Sequence, residues 1–188
     1  MISNLDQLTE VSIAYHKQKY GYIPNFLTPA QTMSWLESLE PLPRKRVICG
    51  NREVSWEQQQ VDKDHRLYEY FLSNEVVTFI RSLEQVSPDT TYRVMSWTSR
   101  YTVGEFINPH RDASGDIQLL ICLKSVVPGC GGALILRPDE QERVFNLQPG
   151  DAVIFKASEI LHYTKPIVNS EQDLNPERVV IVARYYAR

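Results

Sequence analysis

The sequence predicts a mainly β protein with N-terminal helices and a jelly-roll core, because its two halves have different patterns. Residues 1–91 carry apolar residues at helical spacing, whereas from residue 92 onward short apolar runs alternate with turns rich in glycine and proline. No repeat, low-complexity tract or long linker divides the 188 residues. Helices followed by many short strands are typical of a β-sandwich or jelly roll supported by helices. We therefore expect one domain, 1–188, with helical support over about 1–91 and the core over about 92–188.

The helical half contains two stretches with recognisable ends. Thr28 and Gln31 form a predicted capping box, and the helix that they begin should end before Pro41. A second stretch covers residues 61–86 and should be interrupted near Ser73, a residue that can cap a new helix. The apolar residues of the first helix expected to face the core are Met33, Leu36 and Leu39.

The second half contains six predicted strands separated by turns. The run 117–126 is almost continuously apolar, which predicts a strand buried on both faces. Glycine and proline at 128–132 and 148–151 predict turns. The predicted strands cover residues 93–98, 117–126, 133–136, 144–147, 152–155 and 179–186.

Composition excludes some classes of function. A net charge of −3 and a pI near 5.8 argue against a broad nucleic-acid interface, without excluding a local one. Residues 43–46, Pro-Arg-Lys-Arg, are a local exception: they form either a solvated loop or a contact for an anionic substrate.

The cellular compartment is also suggested by the sequence. No apolar run reaches the length of a membrane span, and the first residues lack the regions of a signal peptide. Cys49, Cys122 and Cys130 have no C-x-x-C spacing, which suits a reducing compartment. We expect a cytoplasmic protein without a membrane partner.

Three residues of the second half are candidate metal ligands. His110 and Asp112 are two positions apart, so on an extended segment they project to the same side. We expect them to follow a strand that ends near Phe106, and His162 to follow the strand 152–155 after a short loop. Two histidines and one carboxylate form the facial triad of non-haem Fe(II) sites, although catalytic zinc sites also use this set. No H-E-x-x-H helix is present in the sequence, so iron is favoured.

Arg178 begins the apolar run 179–183. A guanidinium inside a sandwich requires a carboxylate, supplied either by the protein or by a ligand, whereas an edge position would face solvent. Arg184 is six residues further on and shares the same face, where it either binds a ligand, forms a structural ion pair or lies at the rim.

These motifs resemble those of the Fe(II)- and 2-oxoglutarate-dependent oxygenases. Residues 101–112, YTVGEFINPHRD, resemble the Y-x-x-G-x-x-x-x-x-H-x-D segment of prolyl-4-hydroxylase-like and AlkB-like members. Residues 131–134, 147–155 and 162–166 resemble the G-G-x-L turn, the "PGDAxxF" strand and the "HxxxP" distal ligand of the hydroxylase group. The R-x-x-x-x-x-R spacing of 178–184 is that of AlkB-like proteins.

The resemblance implies a double-stranded β-helix fold and a dioxygenase activity. Fe(II), 2-oxoglutarate and O2 would hydroxylate a substrate, with succinate and CO2 as co-products. Arg178 would bind the distal carboxylate of 2-oxoglutarate with help from Tyr101, and Arg184 would be a further cofactor-binding residue. The implied iron ligands and catalytic residues are His110, Asp112 and His162.

The sequence also departs from the family patterns. The loop 169–177 delays the arginine, and Gln172 stands where the hydroxylase group has its basic residue; the loop is either a lid or a surface insertion. Ser99 and Val180 stand where AlkB-like members favour asparagine, and Cys122 where a tyrosine is frequent.

Three functions are therefore open. The leading one is a hydroxylase of a small metabolite, an amino acid or a peptidyl side chain. The second is an AlkB-like oxidative demethylase of nucleic acid or protein, for which Trp56, Tyr68 and Tyr70 are candidate stacking residues that are more typical of core or surface. The third is a non-catalytic jelly-roll binding protein.

Overall fold

The computed structural model describes residues 5–49 and 54–188 as four helices and eleven strands. The helices are α1 (Leu5–Gln18), α2 (Pro29–Leu39), α3 (Arg66–Phe71) and α4 (Asn74–Glu84). The strands are β1 (Tyr20–Ile23), β2 (Lys45–Cys49), β3 (Val54–Gln60), β4 (Tyr92–Tyr101), β5 (Ile107–His110), β6 (Ile117–Lys124), β7 (Leu134–Arg137), β8 (Arg143–Phe145), β9 (Ala152–Phe155), β10 (Leu161–Thr164) and β11 (Arg178–Ala187).

The strands form two antiparallel sheets that face each other. The large sheet has the order β1-β9-β6-β11-β4-β3-β2, and the small sheet has the order β5-β10-β7-β8. Leu120 and Val182 of the large sheet share one apolar cluster with Leu134 and Leu136 of the small sheet. The expected mainly β, jelly-roll architecture is confirmed.

Alternation along β11 divides the large sheet into a helix face and a cavity face. Val179, Ile181 and Tyr185 belong to the cluster that packs against the helices, whereas Val180 and Val182 belong to the cluster between the sheets. Since side chains alternate along a strand, Arg178 and Arg184 lie on the cavity face, as the sequence indicated. The central strand is thus buried on both sides, which explains its continuous apolar sequence.

The helices cover the other face of the large sheet. The capping box of Thr28 and Gln31 is present at the start of α2, and Ser73 caps α4 as expected. The expectation that Met33 faces the core is wrong, because its side chain is 64% exposed. The buried face of α2 instead carries Thr32, Trp35 and Leu39, with Leu36 partly buried beside them.

The prediction that residues 1–91 are mostly helical missed three strands. β1 pairs with β9, and β2 and β3 pair with each other and extend the sheet beyond β4. The sequence of β3, VSWEQQQ, is rich in polar residues and therefore lacks the apolar alternation by which a strand is recognised.

The basic run 43–46 is solvent-exposed, as the first alternative predicted: residues 43 and 44 lie in a loop, and Lys45 and Arg46 begin β2. Arg44 pairs with Glu40 at 2.6 Å and lies 3.7 Å from Glu57. Arg46 is in β2 and pairs with Glu105. Both arginines have protein carboxylates as partners, while Lys45 between them is exposed.

Cys122 and Cys130 are buried free thiols, and the side chain of Cys49 lies outside the described residues. Within the described part of the chain, every helix is too short or too polar to cross a bilayer.

Candidate metal centre

Two short neighbouring strands of the small sheet carry the candidate histidines. β5 and β10 pair antiparallel, with His110 directly opposite His162. Asp112 follows β5, and its backbone N–H donates to the carbonyl of Ala157 at 2.9 Å. The expected strand ending near Phe106 is wrong: β4 ends at Tyr101, and each histidine is itself part of a strand. Four-residue strands such as INPH and LHYT are too short to show a periodic pattern.

The three side chains converge on one point. Nε2 of His110 is 3.7 Å from Oδ1 of Asp112, and Nε2 of His162 is 3.9 Å from Oδ2. One ligand atom from each residue lies within 4.8 Å of the others. Metal–ligand bonds of about 2.0–2.2 Å place the ligands of one ion about 3–4 Å apart, so the set fits a single cation.

Both imidazoles are held in the tautomer that binds a metal through Nε2. Nδ1 of His110 lies 2.8 Å from the carbonyl of Asn108, and Nδ1 of His162 lies 2.9 Å from the carbonyl of Ile160. A carbonyl only accepts hydrogen bonds, so Nδ1 is the donor in each ring, and in the neutral imidazole Nε2 is the nitrogen with the free lone pair. Carbonyl partners of this kind orient metal-binding histidines in general. The donor set therefore fits the metal that the sequence implied.

Burial keeps His162 in its neutral form. Burial lowers the pKa of His162 to about 4, and the hydrogen bond to Ile160 and the charge of Asp112 oppose this only in part. Phe155 packs edge-on against the ring, with 5.0 Å between the ring centroids. At neutral pH the imidazole is a ready metal ligand that need not release a proton.

Arg184 lies beside the candidate ligands. Its Nη2 donates to Oδ2 of Asp112, while Nε and Nη2 donate to Oε1 of Gln118 at 3.1 and 2.9 Å. Its guanidinium lies 5.0 Å above the ring of Trp97. Of the alternatives left open by the sequence, the ion pair is therefore formed, and a contact of Arg184 with a cofactor stays a prediction.

Arg178 is a buried charge whose terminal nitrogens find no partner in the part of the chain that the structure describes. The residue is 4% exposed, and neither Nη1 nor Nη2 has a hydrogen-bond partner among the described residues. Tyr101 is opposite it in the register, and the guanidinium lies 5.5 Å from the centre of the tyrosine ring. Burial raises the pKa of Tyr101 to about 12, so its hydroxyl stays protonated. Since an unpaired buried cation is costly, this position calls for an anionic ligand.

One cavity of about 550 Å³ joins the metal ligands to Arg178. Its size is typical of sites for small molecules. Its walls come from both sheets and are mainly apolar and aromatic; they include Trp56, Trp97, Leu120, Leu134, Val180 and Val182. The contribution of β3 to this wall could not be predicted, because β3 itself was not recognised.

His16, His65, Tyr68 and Tyr70 lie outside this cavity. His16 is exposed on α1, and His65 caps α3. Tyr68 donates to the carbonyl of Val94, and Tyr70 packs against Trp35.

The loop 169–177 is attached at its C-terminal end. Glu177 accepts hydrogen bonds from Arg100 and Lys124, at 2.5 and 2.8 Å. A side-chain contact between Cys130 and Ser170, 3.2 Å long, attaches the start of the loop. These contacts attach both ends of the loop to the body of the protein, and its role as a lid or as a surface insertion stays a prediction.

Comparison with known proteins identifies the fold. No protein-family model and no curated protein matches the chain. Solved structures do. An oxidoreductase of the 2OG-Fe(II) oxygenase family from Burkholderia pseudomallei matches with a TM-score of 0.78 and 14% identity, over 97% of this chain and 92% of its own.

Two prolyl hydroxylases match to a similar degree. The prolyl-4-hydroxylase of Pseudomonas putida has a TM-score of 0.77 and 15% identity, over 96% of this chain and 99% of its own. A Trichoplax adhaerens prolyl hydroxylase, solved with a hypoxia-inducible factor peptide, has a TM-score of 0.73 and 17% identity, over 95% and 88% of the two chains. At these identities the likeness establishes the fold alone, and it is the fold that the resemblance in the sequence predicted.

Proposed function

We propose that this chain is an Fe(II)- and 2-oxoglutarate-dependent dioxygenase. The observation that carries the proposal is the pairing, within one cavity, of a preorganised two-histidine, one-carboxylate site with a buried and unpartnered arginine. His110, Asp112 and His162 would hold the iron, and Arg178 would hold the distal carboxylate of 2-oxoglutarate. Two free lone pairs and one carboxylate suit Fe(II), and they leave further coordination positions open.

Bound iron and 2-oxoglutarate supply the oxidative chemistry, in which O2 and the keto acid yield succinate, CO2 and one oxygen atom for the substrate. The chain's own residues bind and orient these groups. Arg178 offers the carboxylate two parallel donors, and Tyr101 limits the space around them. Arg184 donates to Oδ2 of Asp112 and so orients the carboxylate that would hold the metal. Val180 and Val182 line the space between the arginine and the metal ligands and exclude water from it.

Hydroxylation of a small metabolite, an amino acid or a peptidyl side chain is the reaction that we favour. Two of the proteins with this fold are named prolyl hydroxylases, and one of them was solved with a peptide. The demethylase alternative is favoured less by residues 43–46, because both arginines there have carboxylate partners within the protein. The complete ligand set and Arg178 argue against a non-catalytic binder.

Residence in the cytoplasm stays our prediction, which the two buried free thiols support.

Succinate formation tests the proposed function. Purified protein is supplied with Fe(II), 2-oxoglutarate and O2, and succinate is quantified with each component omitted in turn. We expect succinate only with all three, no succinate from His162→Ala, and unchanged formation from His16→Ala, a matched variant of an exposed histidine. Succinate formation that persists in His162→Ala, or its absence from the wild type, would contradict the proposal.

A further inference from the structure

A second cavity, of about 450 Å³, also borders Arg178, and we call it the loop cavity. Its volume is typical of sites for small molecules. Among the described residues, Arg178 is the only one that lines both the loop cavity and the cavity of the metal ligands. The walls of the loop cavity come mainly from the segment before β7 and from the end of β8, and they include Val126, Pro128, Gly129, Gly132, Val144 and Leu147.

Glycines leave room for the loop cavity next to the arginine. A Cβ at Gly129 would meet no atom within 4 Å. A Cβ at Gly132 would lie 3.4 Å from Cδ of Arg178 and 3.5 Å from Cγ2 of Val126. A side chain at Gly132 would therefore stand against Arg178, and its absence brings the loop cavity up to the arginine.

The charged residues of the loop cavity are all positive. Of the described residues that line it, Lys165 and Arg178 carry a charge, and none is a carboxylate. Lys165 is exposed and forms no ion pair with a described residue. Glu177, the acidic residue next to Arg178 in the chain, is paired with Arg100 and Lys124. The potential of this cavity therefore attracts anions.

The loop cavity also offers neutral hydrogen-bond donors. Ser125 and Asn146 line it, and their side chains form no hydrogen bond with any described residue. Lys165 can contact an anion directly, because it lies at the surface. The Nη atoms of Arg178 are buried, so this residue contributes mainly its charge, which acts strongly through apolar surroundings.

We propose that the loop cavity binds a small anionic molecule through a carboxylate or phosphate group, which Lys165, Ser125 and Asn146 contact and Arg178 attracts. This anion is a second ligand, bound apart from the metal ligands. Since it and 2-oxoglutarate both depend on the charge of Arg178, each should weaken the binding of the other. The coupling rests on the proposed function, whereas the anion site itself does not.

Anion titrations of the metal-free protein test the site. Amide NMR spectra are recorded while sulfate or acetate is added at constant ionic strength, with chloride as the reference salt. Sulfate represents a phosphate group, and the anion that binds more tightly identifies the group as phosphate or carboxylate. We expect at least one of them to give saturating shifts, with a dissociation constant of about 1–10 mM. No saturating shift from either anion up to about 50 mM would overturn the inference.

Two lysine variants locate the binding. Lys165→Met should weaken it at least about tenfold, because a charge-assisted contact is lost. Lys63→Met removes another exposed lysine, outside the loop cavity, and should leave the affinity unchanged. The amide spectrum without anion shows whether each variant is folded. Anion binding that survives Lys165→Met, or that weakens equally in both variants, would also overturn the inference.

The coupling is measured in oxygen-free protein through the visible band of the iron–keto acid complex. As the anion concentration rises, the apparent dissociation constant of 2-oxoglutarate should increase about tenfold and then reach a plateau, as for two ligands at separate sites. A rise without a plateau would show that the anion displaces 2-oxoglutarate from its own site, and would contradict a second site. Absence of the band in the wild type would instead contradict the proposed function, and the titrations of the metal-free protein would still decide on the anion site.

Discussion

Arg178 has an unusual environment for a charged side chain. Its guanidinium is buried between Tyr101 and apolar residues, and neither Nη atom has a partner among the described residues. A buried group of this kind costs about 1–3 kcal/mol or more when it is left unsatisfied. The folded protein therefore maintains an unfavourable charge at this position, and a bound carboxylate would compensate it.

Replacing Arg178 with an uncharged residue should lower the affinity for the ligand without lowering the stability of the protein. Arg178→Met keeps most of the side-chain volume and removes the charge, so we expect thermal stability without ligands to be equal to or higher than that of the wild type. Affinity for 2-oxoglutarate should fall about a hundredfold, since two charge-assisted hydrogen bonds are lost. Thermal unfolding and equilibrium dialysis measure the two effects. Arg93→Met, an exposed arginine that stacks on Tyr186, should leave the affinity unchanged. An unchanged affinity in Arg178→Met would show that another residue binds the co-substrate.

Single site residues could be predicted from the sequence where residue type and short-range spacing were sufficient. His110, Asp112 and His162 were predicted as ligands from residue type and spacing, and the structure brings all three together. The contact of Arg184 with Asp112 spans 72 positions and depends on the register of β6 and β11, which no local pattern encodes.

The loop before β7 positions Arg178 from outside the cavity. Gly131 and Gly132 have φ angles of 75° and 70°, and a Cβ at Gly132 would lie 3.4 Å from Cδ of Arg178. A Cβ at Gly131 would overlap the carbonyl oxygen of Pro166. The glycines therefore permit a close approach of backbone to backbone next to the arginine.

Substitutions in this loop should differ in a predictable way. Gly129→Ala introduces only backbone strain, since its φ is 93° and its Cβ would meet nothing within 4 Å, so we expect a loss of about 1 kcal/mol. Gly131→Ala adds a clash with the backbone, for which we expect a loss of about 3 kcal/mol or more. Urea denaturation measures both. Equal losses would show that the loop shifts freely and does not position Arg178.

A cluster of ion pairs around Glu177 holds the start of β11 in place. Glu177 accepts hydrogen bonds from Arg100 of β4 and Lys124 of β6, so three adjacent strands are joined one residue before Arg178. Burial alone would raise the pKa of Glu177, but the hydrogen bonds from Lys124 and Arg100 outweigh it and hold the pKa below its ordinary value. The carboxylate is thus ionised in the folded state across the neutral range.

Removing this carboxylate should cost stability in a pH-dependent manner. Glu177→Gln should lower the free energy of unfolding by about 1–3 kcal/mol at pH 7. Because the pKa is lower in the folded state, this contribution is complete above the unfolded-state pKa near 4.5 and is lost as the pH falls through the folded-state pKa. Denaturant titrations of both proteins between pH 7 and pH 3 measure the difference. Glu40→Gln removes the other, half-exposed partner of Arg100 and should cost less. A pH-independent difference would rule out an electrostatic origin.

At the scale of elements, prediction from sequence followed apolar periodicity. α2, α4 and the strands β4, β6, β9 and β11 were predicted because their buried faces are regular. β3, β5 and β10 were missed because they are polar or only four residues long, and their strand conformation is set by pairing with neighbours. These strands carry both histidines and Trp56 of the cavity wall, so the sequence predicted the ligands but not the elements that hold them.

The whole molecule should gain stability when its site is filled. Fe(II) and 2-oxoglutarate bind the folded state, and a hundredfold excess over the dissociation constant adds about 2.7 kcal/mol. For a chain of this size we expect the melting temperature to rise by about 5–10 °C, with a smaller rise for 2-oxoglutarate alone. Differential scanning calorimetry without oxygen, with and without a chelator, measures this effect. A rise that persists in His110→Ala would place the metal elsewhere.

The two packed sheets bring together residues from distant parts of the sequence, and we propose that this arrangement holds iron and 2-oxoglutarate side by side. The visible charge-transfer band of the Fe(II)–2-oxoglutarate complex tests it directly, in oxygen-free protein to which iron and then the keto acid are added. We predict a band in the wild type that weakens in Arg178→Ala and vanishes in His162→Ala. Iron binding without any band in the wild type would contradict the claim.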